Sequence, residues 1–253
     1  VLTMNRPERR NALSLDMIVR MADAWEAIDA DDTIRSVILT GAGDAYCVGG
    51  DLDSGWMAGN RSAEPTENEK RAMADMSIIG RGLLLSQWLR TPIIAVVNGD
   101  CLGGGCEMLQ QTDIRIAEEH ARFGVPEAKR GLIAGAGSTM RLKRQIPYAV
   151  AMEMLLTGRI LDAEEALRWG LVTHVVPKGS GLAKGLEIAE IIAANAPLSV
   201  AASKASAIET GWLPESEAGP IEQRYVAKVT RSNDAKEGMR AFKEKRPPKF
   251  TGT

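Results

Sequence analysis

Residues 93–111 constrain the fold most, because a strand pattern, a glycine turn and a helix pattern follow one another directly. The apolar run at residues 93–97 is short and β-branched and lies between Pro92 and Gly99, which predicts a buried strand. Three glycines at 103–105 then turn the chain, and residues 106–111 favour a helix. Consecutive glycines are costly to order. Either a ligand approaches bare N–H groups at a helix start or the helix packs tightly, and this stretch leaves both explanations open.

The same order of strand and glycines occurs earlier in the chain. Residues 35–40 and 45–48 predict short strands, and the second runs into Gly49-Gly50-Asp51-Leu52. Residues 54–69 are polar and rich in helix breakers, which predicts a mobile loop. An amphipathic pattern over residues 71–89 predicts one long helix that ends before Pro92. Residues 125–137 predict a second glycine-rich loop.

Length and charge narrow the classes of protein that this chain can be. A chain of 253 residues forms one large domain or two small ones. A net charge of −2 argues against nucleic-acid binding, which usually needs a basic excess. No apolar run approaches the ~20 residues that span a bilayer. We therefore expect no membrane partner and a cytoplasmic location.

The three cysteines are odd in number and lie in apolar surroundings, which predicts free thiols.

The composition changes near residue 196, and the chain beyond Leu198 has helical patterns only. This change predicts two parts, a core at residues 1–195 and a helical appendage at residues 196–253.

Several cofactor and catalytic motifs are absent from the sequence. The Rossmann pattern fails at its last glycine in the stretches that begin at Gly41 and Gly135, and no Walker sequence occurs. The two histidines, His120 and His174, have no motif partners, so we expect neither a serine–histidine–aspartate site nor a metal site.

Two carboxylates next to the glycine-rich segments remain as candidates for chemistry. Taken singly, Glu107 could bind N–H groups of its own helix, and Glu127 could pair with Lys129 or Arg130. Together, two carboxylates beside two glycine turns favour acid/base chemistry next to a backbone that stabilises an anion.

At these residues the chain closely resembles the crotonase superfamily, also called the enoyl-CoA hydratase/isomerase family. The resemblance covers nearly the whole chain. Its matching motifs are Asn5-Arg6-Pro7, Asn11-Ala12-Leu13, Leu39-Thr40-Gly41, Gly49-Gly50-Asp51-Leu52, Val97-Asn98-Gly99, Gly103-Gly104-Gly105-Cys106-Glu107, Pro126-Glu127, Gly135-Ala136-Gly137, Leu156-Thr157-Gly158, residues 163–176 and Lys236-Glu237-Gly238-Met239. The resemblance implies an α/β fold of the crotonase-like (ClpP/crotonase) type. That fold is a spiral of strand–strand–helix units with a C-terminal helical region for trimerisation.

The resemblance also implies an activity, with Glu107 and Glu127 as the two catalytic carboxylates. Family members bind acyl-CoA thioesters and hold the thioester oxygen between two backbone N–H groups, here those of Gly50 and Gly104. Both glutamates together favour hydration of a trans-2-enoyl-CoA, with Glu127 as the base that activates water and Glu107 delivering a proton to the α-carbon. The alternatives are a Δ3-Δ2 enoyl-CoA isomerase, a carnitinyl-CoA-type dehydratase, or a non-catalytic acyl-CoA-binding protein.

Further expectations concern substrate contacts and assembly. The residues expected at the CoA and acyl groups are Arg10, Ala12, Val48, Asp51, Leu52, Leu102, Pro126 and Gly135. No separate cofactor is implied, because CoA is part of the substrate. The family usually forms trimers or dimers of trimers, and Lys245 or Arg246 could then reach a neighbouring subunit's phosphates. Two departures from the family pattern are Ser138, where glycine is frequent, and Asp53, where some hydratases carry lysine.

Overall fold

The computed structural model describes residues 1–53, 64–85 and 88–253. Within these residues the strands are β1 (Leu2–Met4), β2 (Val37–Gly41), β3 (Ala45–Cys47), β4 (Ile93–Val97), β5 (Asp100–Leu102), β6 (Ile114–Glu118), β7 (Arg122–Gly124), β8 (Ile160–Asp162) and β9 (His174–Val176). The helices are α1 (Leu15–Ala30), α2 (Glu67–Ala74), α3 (Ser77–Gly82), α4 (Gly104–Leu109), α5 (Ser138–Gln145), α6 (Tyr148–Thr157), α7 (Ala163–Arg168), α8 (Gly181–Ala194), α9 (Pro197–Thr210), α10 (Glu215–Thr230) and α11 (Asn233–Glu244). Two 3-10 helices cover Pro7–Arg9 and Pro126–Arg130.

The strands form two sheets that the chain builds in alternation. One sheet is parallel throughout, in the order β1-β2-β4-β6-β9. The other has the order β3-β5-β7-β8, and β8 runs antiparallel to β7. Strands β2, β4 and β6 extend the first sheet, and β3, β5 and β7 follow them into the second. A helical segment comes after each pair, so the unit of strand, strand and helix repeats as a spiral.

Strand β4 lies at the centre of the parallel sheet, and all five of its residues are buried. Alternate side chains of a strand point to opposite faces. One set from β4 packs into the main core, and the other set packs with Ile188 of α8. A parallel strand that is covered on both faces needs a continuous apolar sequence, which is why the run predicted this strand with its observed bounds.

The single helix predicted over residues 71–89 is wrong, because the chain forms α2 and α3 instead. Asp75 ends α2 in an extended conformation, and its carboxylate accepts the Ser77 N–H at 2.9 Å. That local hydrogen bond competes with continuation of the helix. The loop predicted over residues 54–69 lies partly outside the described residues, at positions 54–63. Its end is earlier than predicted, because Thr66 caps α2 through a reciprocal pair of hydrogen bonds with Glu69.

The last three helices, α9 to α11, follow the sheets as the composition predicted, although the division at residue 195 stays a prediction. Helix α10 has no buried residue, and α11 is held by the tail of the chain. The N–H groups of Thr251 and Gly252 donate to Asp234 at 2.7 and 2.9 Å.

Among the described residues, no single helix is long and apolar enough to cross a bilayer. Only α8 and α9 taken together meet that criterion, and they are bent by 107°.

Candidate active site

The segments that follow β3, β5 and β7 line one cleft with a volume of about 740 Å³. These three strands are parallel neighbours, so their carboxyl ends lie at one edge of the sheet. The residues predicted from the sequence as catalytic, anion-binding or substrate-binding all line this cleft: Arg10, Ala12, Val48, Gly50, Asp51, Leu52, Leu102, Gly104, Glu107, Pro126, Glu127 and Gly135.

A strained turn brings the N-terminal segment to the cleft. Arg10 and Asn11 both adopt left-handed backbone conformations, with φ of 50° and 58°. The buried Asn11 amide stabilises this turn, because it donates to the carbonyls of Ala42 and Ala45 at 2.9 and 2.7 Å. The chain then pairs with the segment after β3, where the Leu13 N–H donates to Gly49 at 2.8 Å.

The backbones of Gly50 and Gly104 lie close together in the cleft. A Cβ built on Gly104 would lie 3.7 Å from the Gly50 nitrogen. No described residue accepts a hydrogen bond from the N–H of Gly50 or from that of Gly104. The Gly104 N–H belongs to the first turn of α4, where helical N–H groups have no partner within the helix. The pair can therefore donate to one oxygen atom of a ligand.

The three glycines at the start of α4 serve different purposes. Gly103 has φ of 53°, and a Cβ there would lie 3.1 Å from Oε1 of Glu127. A Cβ on Gly105 would lie 2.4 Å from the carbonyl oxygen of Cys47, so α4 can approach β3 only with glycine at this position. The structure shows the tight packing at Gly105, and ligand access at Gly104 stays a prediction. Cys47 is a free, buried thiol, as are Cys101 and Cys106, which confirms the predicted free thiols.

Glu107 is buried on α4 and has a strongly shifted pKa. Its side chain accepts the Ser138 N–H at 3.1 Å. Burial raises the pKa of Glu107 from 4.5 to about 7, and the nearby charge of Glu127 also raises this pKa. Hydrogen bonds from the backbone of Ser138 and Ala136 and from the Ser138 hydroxyl act in the opposite direction. At neutral pH the protonated and ionised forms of Glu107 are therefore both populated.

Glu127 lies on the 3-10 helix Pro126–Arg130, on the same cleft. Burial raises the pKa of Glu127, while its own backbone N–H and the charge of Arg130 act to lower it. Its Oε2 atom is buried without a hydrogen-bond partner among the described residues. A buried carboxylate oxygen without a partner is costly, so this atom is available to a water molecule or a substrate group.

Acidic partners engage the arginines on the wall of the cleft. Burial acts to raise the pKa of Asp51, but hydrogen bonds from Arg6 and Arg9 outweigh it, and the pKa lies below its ordinary value. Arg9 also pairs with Asp53, and Arg10 pairs with Asp100. The acidic residue at position 53, where some hydratases carry lysine, thus offsets part of the positive charge of Arg9.

Arg246 at the end of the chain is also ion-paired. It contacts Glu237 at 2.6 and 3.1 Å and Glu244 at 2.6 Å. These contacts hold the pKa of Glu237 below its ordinary value. Any contact of Arg246 with a phosphate would compete with these pairs.

Some contacts in the site were not predicted from the sequence. Ser138 was noted only as a departure from the family pattern, yet it is fully buried and binds Glu107. The Gln110 amide donates to the Ser138 hydroxyl at 2.7 Å, which leaves the hydroxyl proton available to Glu107. Leu83 and Ala136 also line the cleft. The sequence feature that could have predicted this contact is a small polar residue, Ser138, that follows glycine at the start of a helix.

Replacing Glu107 with glutamine is expected to stabilise the fold above pH 7. Because the folded-state pKa is raised from 4.5 to about 7, the folded protein favours the protonated form. In the unmodified protein, the contribution of protonated Glu107 to the free energy of unfolding is fully present below pH 4.5. This contribution of about 3 kcal/mol is lost as the pH rises through about 7. Urea unfolding should show that Glu107→Gln gains stability relative to the unmodified protein between pH 4.5 and pH 8. Glu190→Gln, at an exposed position on α8, is the control and should show no such gain. An equal stability difference at both pH values for Glu107→Gln would contradict the raised pKa.

Comparison with known sequences identifies the family. A sequence model described as enoyl-CoA hydratase/isomerase matches residues 1–253. The chain belongs to the enoyl-CoA hydratase/isomerase family. It is 48% identical over 250 residues to the enoyl-CoA hydratase EchA19 of Mycobacterium tuberculosis, covering 99% of this chain and 92% of that protein. It is 40% identical over 254 residues to the (E)-benzylidenesuccinyl-CoA hydratase of Thauera aromatica, covering 99% and 94%.

Solved structures of the enoyl-CoA hydratase/isomerase family confirm the predicted fold. The chain matches an enoyl-CoA hydratase from Bacillus anthracis with a TM-score of 0.89 and 35% identity, covering 99% of this chain and 94% of that one. The enoyl-CoA hydratase of Mycobacterium tuberculosis H37Rv matches with a TM-score of 0.87 and 38% identity, at the same coverage. The crotonase-like α/β fold with a C-terminal helical region is therefore confirmed.

Proposed function

We propose that this protein is an enoyl-CoA hydratase, which adds water across the trans-2 double bond of an acyl-CoA thioester. The observation that carries the proposal is the position of Glu107 and Glu127 on one cleft, beside two N–H groups that have no acceptor among the described residues. Relatives named as hydratases of CoA thioesters support it, and their names differ in the acyl group.

In this proposal, the N–H groups of Gly50 and Gly104 bind the thioester oxygen. Attack of water at the β-carbon moves negative charge to that oxygen and forms an enolate. Donors that are already in place stabilise such a charge by ~3 to 4 kcal/mol each in comparable sites. The dipole of the N-terminal turn of α4 acts in the same direction.

The two glutamates divide the proton transfers. Glu127 takes a proton from water as the water oxygen bonds to the β-carbon, and its unpartnered Oε2 suits this task. Glu107 orients the water and gives a proton to the α-carbon as the enolate collapses. Its pKa of about 7 supports this role, because a proton donor must be protonated near the working pH. Like charges on the two carboxylates disfavour double ionisation, so the pair holds its proton unequally.

The rest of the cleft is proposed to bind the CoA part and the near end of the acyl group. Backbone around Arg10, Ala12, Val48, Asp51 and Leu52 would contact the nucleotide and pantetheine. Leu102, Pro126 and Gly135 would contact the thioester end of the acyl group. No separate cofactor is required by this chemistry.

The proposal includes assembly as a homotrimer or a dimer of trimers, in the cytoplasm. Large apolar side chains on α11 support an interface between copies, because Met239 is 60% and Phe242 is 86% exposed in the single chain. Light scattering of the purified protein measures the number of subunits, and a monomer at all concentrations would contradict this part of the proposal.

The experiment that tests the activity uses crotonyl-CoA and longer trans-2-enoyl-CoA thioesters. The enoyl absorbance should fall, and the product should gain the mass of one water molecule. A product of unchanged mass with a moved double bond would identify an isomerase instead. If the protein binds CoA but leaves every thioester unchanged, the hydratase proposal is wrong and a binding role replaces it.

A further inference from the structure

Arg141 lies on the first turn of α5 and takes no part in the chemistry proposed above. Its side chain is half-buried, and Nη2 donates to the carbonyl of Leu85 at 3.1 Å. Nη1 is buried and has no hydrogen-bond partner among the described residues. A buried guanidinium nitrogen without an acceptor is costly, so its position calls for a reason beyond packing.

The guanidinium of Arg141 packs against the turn that holds Glu107. Gly137 in this turn has φ of 116°, and a Cβ there would lie 2.3 Å from Nη1 of Arg141 and 3.0 Å from Cζ. The next residue, Ser138, donates its N–H to the Glu107 carboxylate at 3.1 Å. Arg141 therefore fills the space beside the backbone that presents this donor to Glu107.

The other contact of Arg141 is with a constrained wall of the cleft, residues 82–85. Leu84 is fully buried yet has φ of 57°, a conformation that a bulky residue keeps only when its surroundings enforce it. Three side chains hold the carbonyls of this segment. Trp25 donates to Gly82 at 3.0 Å, Gln111 donates to Leu84 at 2.6 Å, and Arg141 donates to Leu85. Leu83, within the same segment, lines the cleft.

The charge of Arg141 acts on Glu107 against that of Glu127. Among the described residues, Arg141 from α5 and Glu127 from the 3-10 helix both interact with Glu107 through their charges. Burial lowers the pKa of Arg141, and the Glu107 carboxylate acts to raise it. By reciprocity, the arginine favours the ionised form of Glu107.

We propose that Arg141 is a positioning residue for Glu107. Its guanidinium joins the wall that carries Leu83 to the turn that binds the carboxylate, and its charge stabilises Glu107 after the proton has left. The benefit to turnover rests on the proposed hydratase function. The effect on Glu107 itself does not.

The test measures the titration of Glu107 directly, by infrared difference spectra against Glu107→Gln. Arg141→Met should raise the pKa of Glu107 above its value of about 7, by about 1 pH unit. Arg141→Gln keeps an N–H donor for Leu85 but loses the charge, so it should give a similar rise and replaces the methionine variant if that variant does not fold. Arg141→Lys should restore most of the original titration.

The matched control is Arg144→Met on the same helix. The Arg144 guanidinium stacks 3.9 Å from the ring centroid of Trp212 rather than facing Glu107, so this variant should leave the titration unchanged. An unchanged titration in the neutral variants of Arg141 would overturn the proposal, even in an active hydratase. Where the enzyme is active, the same variants should move the alkaline limb of the kcat profile to higher pH. Absence of hydratase activity in the unmodified protein would instead refute the proposed function. The infrared titration of Glu107 would then still test the role of Arg141.

Discussion

Glu127→Gln is expected to lower kcat for hydration of an enoyl-CoA by ~100-fold or more, and Glu107→Gln by a similar factor. Glutamine keeps the size of the side chain, but it can neither accept the proton of water at 127 nor donate a proton from 107. The KM for the thioester should change far less than kcat, because these groups act mainly in the transition state. Steady-state kinetics with crotonyl-CoA measures both quantities.

The control for these variants is Glu8→Gln, at an exposed position on the same cleft. It removes a carboxylate of the cleft without touching the acid/base pair, so kcat should stay within about threefold of the unmodified protein. If Glu107→Gln and Glu127→Gln also stay within that range, the two glutamates do not carry the chemistry. The double variant should lower kcat little more than either single variant does, because the two groups act as a unit.

Gly104→Pro is expected to lower kcat by ~100- to 1,000-fold, because proline removes one of the two donors to the thioester oxygen. The fold should tolerate the change. Position 104 is the first residue of α4, where proline is well accommodated, and its N–H makes no hydrogen bond to the described residues. The added Cβ would lie 3.2 Å from Cδ1 of Leu13, the end of a flexible side chain.

Two controls separate loss of the donor from added bulk. Gly104→Ala adds the Cβ but keeps the N–H, so it should lose less activity than the proline variant. Glu67→Pro places proline at the first residue of α2, away from the cleft, and should leave kcat unchanged. Equal activities of Gly104→Pro and Gly104→Ala would show that the Gly104 N–H is not a donor to the reacting oxygen.

Secondary structure was predictable where a single physical cause dominates. Strand β4 is a continuous apolar run because both of its faces are covered, and its predicted and observed bounds agree. The prediction of one helix over residues 71–89 was wrong, because the apolar spacing in the sequence continues across Asp75. In the structure, the Asp75 side chain accepts a hydrogen bond from the Ser77 N–H, and the helix ends there.

The sequence by itself determined the family, through ordered motifs along the whole chain, and with it the fold and the location of two candidate glutamates. Periodicity and glycine spacing are local properties, so they can be recognised directly in the sequence. Tertiary structure alone decided that Ser138 and Gln110 form a hydrogen-bonded chain to Glu107, and that Arg141 contacts both Leu85 and the turn at Gly137. It also decided that the glycine turn packs tightly at Gly105, whereas ligand access at Gly104 stays a prediction. These contacts join segments far apart in the chain, and only the packing of α4, α5 and the two sheets brings them within hydrogen-bonding distance.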